Sequence, residues 1–313
     1  MERKKIVVTG GAGFIGSHLV DSLVEDNDVR VIDNLDFGKR EYVNDDAELV
    51  EIDIRDYEEV KEAIGSPDVI FHFAARAQTR STSIGWDDPQ LDCEVNAKGT
   101  INIFEAVREK EISPKVVYAS SAAVYGPPEN PPISEDHPKK PVSPYGVHKY
   151  AGENHMHAYV EEQGLDISAV RIFNTFGPRQ PRYVMYDFFK KLQENNSELE
   201  VLGTGKQIRD YCYIDDTVKA FEIVAEKGEA GESYNMSGEN VISINELAEL
   251  MIEISDLGAD YYNTQETWDG DISRLEADIT KLKELGFEPE VGLEEGLERF
   301  KEWFEKTEGE IKN

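Results

Sequence analysis

The hydrophobic and polar positions of the chain fall into a repeating rhythm from its first residues. The opening segment KKIVVTGGAGFIGSHLVDSLVEDNDVRVIDNLD reads as a strand-like apolar run, a glycine turn, a helix with apolar residues at helical spacing, and a second strand, DVRVID. Three more strand-like runs follow: DVIFHFAA, KVVYAS and LDISAVRIFN. Helical segments such as DCEVNAKGTINIFEAVREK and YGVHKYAGENHMHAYVEEQG lie between them. Strand and helix alternating over about 170 residues predict an α/β fold with a doubly wound parallel sheet. After FNTFGPRQPRYVMYDFFKKL the rhythm loosens, which predicts a smaller C-terminal portion that supplies a lid. No internal repeat is evident.

In such a sheet ligands gather beyond the carboxyl ends of the strands, where TGGAG, IDNLD, HFAA, SSAAVYG and FNTFGPRQ all fall. Gly10, Gly13 and Gly16 stand at G-x-x-G-x-x-G between the first strand and the first helix. Residues without a β-carbon let the backbone turn tightly there and approach a pyrophosphate resting on the helix N-terminus. Asp33 ends the second strand 23 residues after Gly10, near the roughly 20 expected of a carboxylate that holds an adenosine ribose. That carboxylate repels a 2′-phosphate, so the unit predicts NAD rather than NADP, with Lys39 and Arg40 nearby weakening the preference slightly. A tight turn without a ligand is the competing reading.

SPYGVHKYAGE, residues 143–153, places Tyr145 and Lys149 four apart at what reads as the start of a helix, so both face one side. Taken alone, the pair also fits an ordinary helix opening after Pro144, with the tyrosine inward and the lysine on the solvated edge. Ser120 and Ser121 lie just past a strand, on the edge that carries the glycine turn. A hydroxyl, a phenol and an ammonium beside a nicotinamide ring make a proton-handling set for alcohol oxidation. Tyrosine ionises near pH 10, so a base working near neutrality needs about three pH units of help, or roughly 4 kcal/mol. Burial acts in the wrong direction. The positive charges of Lys149 and of an oxidised nicotinamide are expected to supply the difference.

At 313 residues, 39% of them apolar, the chain is long enough for one large domain or two modest ones around a buried core. No run approaches the about 18 apolar residues of a membrane span, and IVV before TGGAG is too short for a signal core, so a cytoplasmic protein is expected. Cys93 and Cys212 lie far apart without metal-ligand spacing, as reduced thiols do. His155 and His157, two apart on a helix, point to different sides and predict no metal site. A net charge of −31, from 64 acidic and 33 basic residues, repels nucleic acid and anionic membranes and excludes them as expected partners. Acid spread along the whole chain suggests a surface adapted to a salty cytoplasm, an ordinary acidic cytosolic protein being the alternative.

TGGAGFIGSHL, DNLDFGKR, SSAAVYG, SPYGVHK, RIFNTFGPRQ and GKQIRDYCYIDD together resemble the extended short-chain dehydrogenase/reductases, specifically the NAD-dependent nucleotide-sugar epimerases and dehydratases, over residues 6 to about 305. The resemblance implies a Rossmann-type NAD-binding domain of residues 1–173 plus about 208–237, and a smaller α/β nucleotide-sugar-binding domain of 174–207 plus about 238–313. It implies Tyr145 as the base for the sugar hydroxyl, Lys149 as its partner and holder of the nicotinamide ribose, and Ser121 as the hydroxyl on the same sugar oxygen. Gly10, Gly13, Phe14, Ile15 and Gly16 would form the pyrophosphate turn, and Asp33, Asn34, Phe37 and Gly38 would surround the adenosine ribose. Asp53 and Ile54 would contact the adenine. Phe73, Ala74, Ala75 and Asn96 would wall the middle of the cofactor, and Phe173 would pack near the nicotinamide. On the substrate side, Asn174 and Arg209 would bind the diphosphate, and Tyr211, Val201 and Leu202 would line the nucleotide slot. In members of the family the helices corresponding to 99–108 and 145–162 pair across a two-fold axis, which implies a homodimer.

Dehydratases of this family carry Asp-Glu in the two positions after the site hydroxyl, and decarboxylating members a glutamate; here Ala122 and Ala123 stand there. Methyl groups move no protons, so reversible oxidation at the sugar C4 carbon is expected instead. The implied activity is that of a UDP-glucose 4-epimerase, acting on UDP-glucose and UDP-galactose or their N-acetyl forms through a transient 4-keto sugar. A 4-ketoreductase or a 2-epimerase of another nucleotide sugar is the alternative. Rivals of other kinds are a non-catalytic NAD sensor or scaffold and an oxidoreductase of a free small alcohol. Arg179, Arg182 and Arg209 are expected to concentrate positive charge for the diphosphate, although Arg209 also fits an ion pair with Asp210 or Asp215. In TWDGDISRL, Trp268 stands where the family usually has an arginine, and either Arg274 takes over that clamp or Trp268 stacks on a ligand group instead. Leu275 occupies a position held by a bulky tyrosine in some epimerases, which makes room for N-acetylated sugars.

Overall fold

The computed structural model describes residues 1–77, 85–265 and 272–311. Trp268 lies outside them. The first half runs β1 (Lys5–Thr9), α1 (Phe14–Leu23), β2 (Asp28–Asp33), β3 (Glu48–Glu51), α2 (Tyr57–Ala63), β4 (Val69–His72), α3 (Pro89–Cys93), a π-helical turn over Glu94–Lys98, α4 (Gly99–Glu109), β5 (Lys115–Ser121), α5 (Pro144–Gln163) and β6 (Asp166–Ile172). It continues with β7 (Asn174–Phe176), α6 (Tyr183–Glu194), β8 (Glu198–Val201), β9 (Ile208–Tyr213), α7 (Ile214–Lys227), β10 (Ser233–Met236), β11 (Asn240–Ser243), α8 (Ile244–Ile254), β12 (Asp260–Asn263), β13 (Arg274–Leu275), α9 (Thr280–Glu284) and α10 (Leu293–Glu308).

Seven strands pair in parallel in the order β10-β6-β5-β4-β1-β2-β3, the doubly wound sheet that the alternating pattern predicts. Its central strands are apolar on both faces because helices cover both. Ile6 and Val8 of β1 enter one core and Val7 enters the other, following the two-residue period of a strand. The order reverses between β1 and β4, which opens a crevice at their carboxyl ends. Two strands lack an apolar run in the sequence: β3 (ELVE) is a half-buried edge, and β10 (SYNM) is buried with polar residues in it.

A second sheet sets β9 between antiparallel β11 on one side and parallel β7 and β13 along the other, and β12 pairs with β8. Phe189, Phe300 and Phe304 pack α6 against α10 beneath it. Thus α7 and β10 return to the large sheet while β9 belongs to the small one. No helix among the described residues is long and apolar enough to cross a membrane.

Helix α5 explains the placement of the site. Ser143 caps it by accepting from Gly146 N at 3.1 Å, Pro144 occupies its first turn, and Gly164, left-handed at φ 68°, closes it. Its buried face is Pro144, Gly146, Lys149, Gly152, Glu153 and Met156. A β-carbon on Gly146 would stand 2.5 Å from the Ala123 carbonyl oxygen, and one on Gly152 would strike the Tyr118 phenol. These two glycines therefore let α5 lie directly on the end of β5.

Candidate active site

The glycine turn is built for close approach. Gly10 leaves β1 at φ 72°, and a β-carbon there would sit 2.7 Å from Ala74 N. One on Gly16 would overlap the Gly10 carbonyl, so α1 starts pressed onto the turn. With Gly13 as N-cap, the N–H groups of Phe14, Ile15 and Gly16 open the helix without intrahelical acceptors, as an anionic pyrophosphate requires. Asp33 Oδ2 accepts from Ala12 N at 3.0 Å and Oδ1 from Leu35 N at 2.8 Å. Burial raises this carboxyl and the two N–H bonds pull it back. A carboxylate offers about four acceptor positions, so two remain for a pair of ribose hydroxyls.

Gly38 lies against Asp33, where a β-carbon would come 2.8 Å from Oδ1, and the neighbouring Phe37 is exposed with the Arg182 guanidinium 5.8 Å over its ring. Asn34 Nδ2 donates to Asp53 Oδ2 at 3.0 Å. The Arg55 guanidinium grips the same carboxylate and holds it at about 2. Ile54 fills the place of a side chain on Gly99. These residues stand together at the ends of β1 and β2 and just after β3, and the donor and acceptor set fits a dinucleotide.

Two predicted wall residues are used differently. The Phe73 ring turns into the core against Phe221, 4.5 Å between centroids, so only its backbone reaches the crevice edge. Asn96 sits fully buried in the π-helical turn, accepting from Arg76 N at 2.8 Å and donating to Arg76 O at 3.2 Å. Its side chain thereby shapes the loop after β4, which includes Ala74 and Ala75. Ala74 N donates to Thr9 Oγ1 (3.2 Å), and Thr9 joins His72 Nδ1 (2.7 Å), whose Nε2 meets Thr100 Oγ1 (3.0 Å). Burial, and next the Lys149 charge, hold His72 down at about 3, so the imidazole is neutral in this chain of contacts.

Ser121, Tyr145 and Lys149 meet at the crevice. Ser121 ends β5 and caps the short turn Ala122–Val124, accepting from Ala123 N at 3.2 Å, and its hydroxyl faces the Tyr145 phenol closely enough to favour the phenolate. Lys149 is 2% exposed, which removes the reading of a solvated edge. Its Nζ donates to Ala119 O at 2.9 Å and lies 5.0 Å from the Tyr118 ring centroid and 5.8 Å from that of Tyr145. Burial lowers it to about 7, opposed by the Asp92 carboxylate. Burial raises Tyr145 well above the ordinary range, with the Tyr183 and Asp92 charges adding and the Ser121 hydrogen bond opposing.

The expected lowering of Tyr145 by Lys149 is therefore not met by the protein alone. Desolvation disfavours both charged forms, so it drives the two groups apart, Lys149 downward and Tyr145 upward. The remaining help has to come from a cationic ligand ring. Phe173, 8% exposed, stands beside Tyr125 at 6.3 Å between centroids.

On the second sheet, β9 and β7 bring Asn174 and Tyr211 side by side, and Asn174 Nδ2 donates to Asp210 O at 3.0 Å. Arg209 Nη1 donates to the carbonyls of Ile208 (2.9 Å) and Ile272 (2.7 Å), with Leu275 as its strand neighbour. Of its suggested ion-pair partners, Asp215 is engaged by Arg299 at 3.1 Å and Asp210 accepts from Ala277 N at 3.2 Å. Tyr211 is buried and Leu202 exposed, but Val201 belongs to the core. Arg274 is ion-paired with Glu276. Arg179 does not serve the expected concentration of cations: it pairs with Asp21 of α1 at 2.7 Å and stacks on Tyr42 at 5.6 Å.

Two residues beside the site carry no role in the sequence reading. Asp92 of α3 is completely buried, and its Oδ1 meets His148 Nδ1 at 2.6 Å. Among 64 acidic residues nothing in the sequence singles out Asp92, although Asp88 and Pro89 mark the start of its helix.

Residues 6–237 match the NAD dependent epimerase/dehydratase family. A Methanocaldococcus jannaschii protein provisionally named UDP-glucose 4-epimerase is 39% identical over 311 residues, covering 96% of this chain and 99% of that one. The structure of a UDP-N-acetylglucosamine 4-epimerase from Methanobrevibacter ruminantium, in complex with UDP-N-acetylmuramic acid, superposes with a TM-score of 0.90 at 32% identity, covering 98% of this chain and 99% of that one. A Thermotoga maritima UDP-glucose 4-epimerase with UDP-glucose gives 0.90 at 35% identity, over 97% and 99%. With its parallel sheet, glycine turn and Ser121–Tyr145–Lys149 cluster, the chain belongs to the NAD-dependent epimerase/dehydratase family of extended short-chain dehydrogenase/reductases.

Proposed function

We propose that the protein is a UDP-hexose 4-epimerase, interconverting UDP-glucose and UDP-galactose or their N-acetyl counterparts. The observation that carries this reading is the meeting of the Tyr145 phenol, the Ser121 hydroxyl and buried Lys149, followed by the proton-inert Ala122 and Ala123. Tyr145 removes the proton of the sugar 4-hydroxyl and later returns one. Ser121 bonds the same oxygen and keeps it in reach, and Lys149 contributes positive charge and a donor for the nicotinamide ribose. NAD, when bound, supplies the hydride acceptor and donor. Because the sugar leaves with the oxidation level at which it entered, no added reductant is consumed.

In this reading the NAD-binding domain is residues 1–173 plus about 208–237 and the nucleotide-sugar-binding domain 174–207 plus about 238–313, with β9, which opens the second NAD-domain segment, pairing in the small sheet and carrying Arg209 and Tyr211 to the sugar side. Asn174, Arg209 and Tyr211 face the diphosphate and base, with Arg274 as a second cation. A homodimer through α4 and α5 and a cytoplasmic location complete the proposal. Leu275, pairing in register with Arg209, favours tolerance of a 2-acetamido group.

The test is to incubate the purified protein, without reductant, with UDP-glucose, UDP-galactose and their N-acetyl forms, and to follow the sugar signals by NMR. Interconversion of at least one C4 pair is expected. No conversion without NADH, but reduction of a 4-keto sugar nucleotide with it, would make the protein a ketoreductase instead.

A further inference from the structure

Behind the Tyr145–Lys149 turn lies a buried acid that the reaction as described does not use. Asp92 is 0% exposed. One of its oxygens meets His148 Nδ1 at 2.6 Å, and among the described residues the other, also buried, has no hydrogen-bond partner. A buried carboxylate with a bare oxygen is costly, by about 1–3 kcal/mol or more for a charged group, so its retention needs a reason.

Its location supplies one. A β-carbon at Gly85, which is left-handed at φ 84°, would stand 2.8 Å from Asp92 Oδ2 and 3.0 Å from both Tyr145 N and Pro144 Cβ. The bare oxygen therefore lies within about 6 Å of the Tyr145 backbone, at the first turn of α5. There a negative charge is favoured by the unsatisfied N–H groups of the helix start. His148 sits between Tyr145 and Lys149 in sequence, so the contact that fixes Asp92 also fixes the turn carrying both.

We propose that Asp92, held by His148, is a positioning residue of the proton-transfer site: it seats the first turn of α5, which carries Tyr145 and leads to Lys149, and sets a buried negative charge behind that turn. The proposal rests on the Tyr145–Lys149 reading above. The direction of the electrostatics agrees, since the Asp92 charge opposes the burial that lowers Lys149 and adds to the burial that raises Tyr145. The other groups around the pair are Tyr183 from α6, Ser121 and Tyr118 from β5, His72 from β4, and the Glu153–Arg171 ion pair from α5 and β6. Asp92→Asn also changes the charge that faces the His148 ring, so the His148→Ala protein is measured beside it.

Removing the carboxylate charge lowers the proton affinity of both groups. The NAD-loaded Asp92→Asn protein should show both limbs of its pH–rate profile moved toward acid by about one pH unit, and Asp92→Glu should hold them near the wild-type positions. A fall in rate with limbs unmoved would overturn the proposal, because a merely structural role changes amplitude alone. The ultraviolet tyrosinate titration of NAD-loaded protein, taken as the difference against Tyr145→Phe, needs no sugar substrate. It should move the same way in Asp92→Asn even if the UDP-hexose assignment fails, which separates the two claims; an unmoved titration overturns this one. Should Asp92→Asn not fold, His148→Ala serves. It should move the difference tyrosinate titration toward acid as Asp92 loses the contact that holds it in place, and lower kcat by about tenfold, the size of a lost hydrogen bond to a charged group, with KM for the sugar nucleotide unchanged. An unchanged kcat with a lower Tm would contradict the positioning role.

Discussion

Lys149 and Glu153 stand one turn apart on the same buried face of α5, and their surroundings differ in kind. Glu153 accepts from Ser120 Oγ at 2.5 Å and from Arg171 Nε and Nη2 at 2.9 and 2.8 Å. Arg171 Nη1 donates to Tyr125 OH at 2.8 Å, and Tyr125 OH to Asn235 Oδ1 at 2.6 Å. Burial alone would lower Arg171, yet the Glu153 hydrogen bonds and charge carry it above its ordinary range. Lys149 has one carbonyl and two ring faces for company, and burial brings it to about 7. One buried cation is fully matched and joins α5, β5 and β6 in a single framework. The other is held short of partners, at a cost of about 1.4 kcal/mol for each pH unit of displacement. A fold tolerates such a group where its reactivity is used.

The sharpest way to break this comparison is to exchange each cation for methionine. Lys149→Met should lose turnover by about 10²-fold or more, as a proton-handling partner does. Lys149 is depressed in the folded protein, so the unfolded chain binds its proton more readily between about pH 7 and 10.5. Its destabilising effect is absent above that window and complete below it. Urea unfolding at pH 7 should therefore find the methionine variant more stable by about 2–4 kcal/mol, with the gain fading toward pH 10. Arg171→Met should do the reverse and lose about 3–5 kcal/mol, because it leaves Glu153 buried and uncompensated. Loss of stability in Lys149→Met would place that residue in the same structural class as Arg171.

A smaller effect sharpens the same contrast. His72 is held neutral down to about pH 3, against 6.5 for the free side chain. The unfolded state binds its proton first, so stability falls as pH drops below about 6.5, by up to about 1.4 kcal/mol per pH unit. His72→Gln, which keeps a donor and an acceptor between Thr9 and Thr100, should flatten the urea-derived stability curve between pH 4 and 6 by roughly that slope. An unchanged slope would mean that the imidazole is not buried neutral.

These contrasts also mark how far the sequence is legible. Gly10, Asp33, Tyr145 and Lys149 announce themselves because each answers a local demand: a left-handed turn, a strand end, a shared helix face. The buried face of α5 escapes hydropathy, since between Pro144 and Met156 it consists of glycines, a lysine and a glutamate. Strand β10 hides for the same reason, its polar Asn235 being buried because Tyr125 and Ile133 satisfy it. Asp92 is visible only as a letter until α3 brings it against Gly85, and the resemblance names Asn96 as a cofactor wall without showing that its side chain holds the Arg76 backbone. Arg179 misleads in the opposite way: its charge suggests a phosphate, and Asp21, far away in sequence, takes it.

The central claim is that the Tyr145 phenol carries the sugar proton. Its most direct test is NMR of UDP-glucose turnover by NAD-loaded wild-type and Tyr145→Phe protein under identical conditions. Loss of about 10²- to 10⁴-fold in the rate of galactose-signal appearance, with Tm and bound NAD unchanged, is the predicted result. A phenylalanine variant that interconverts the sugars at the wild-type rate would contradict it.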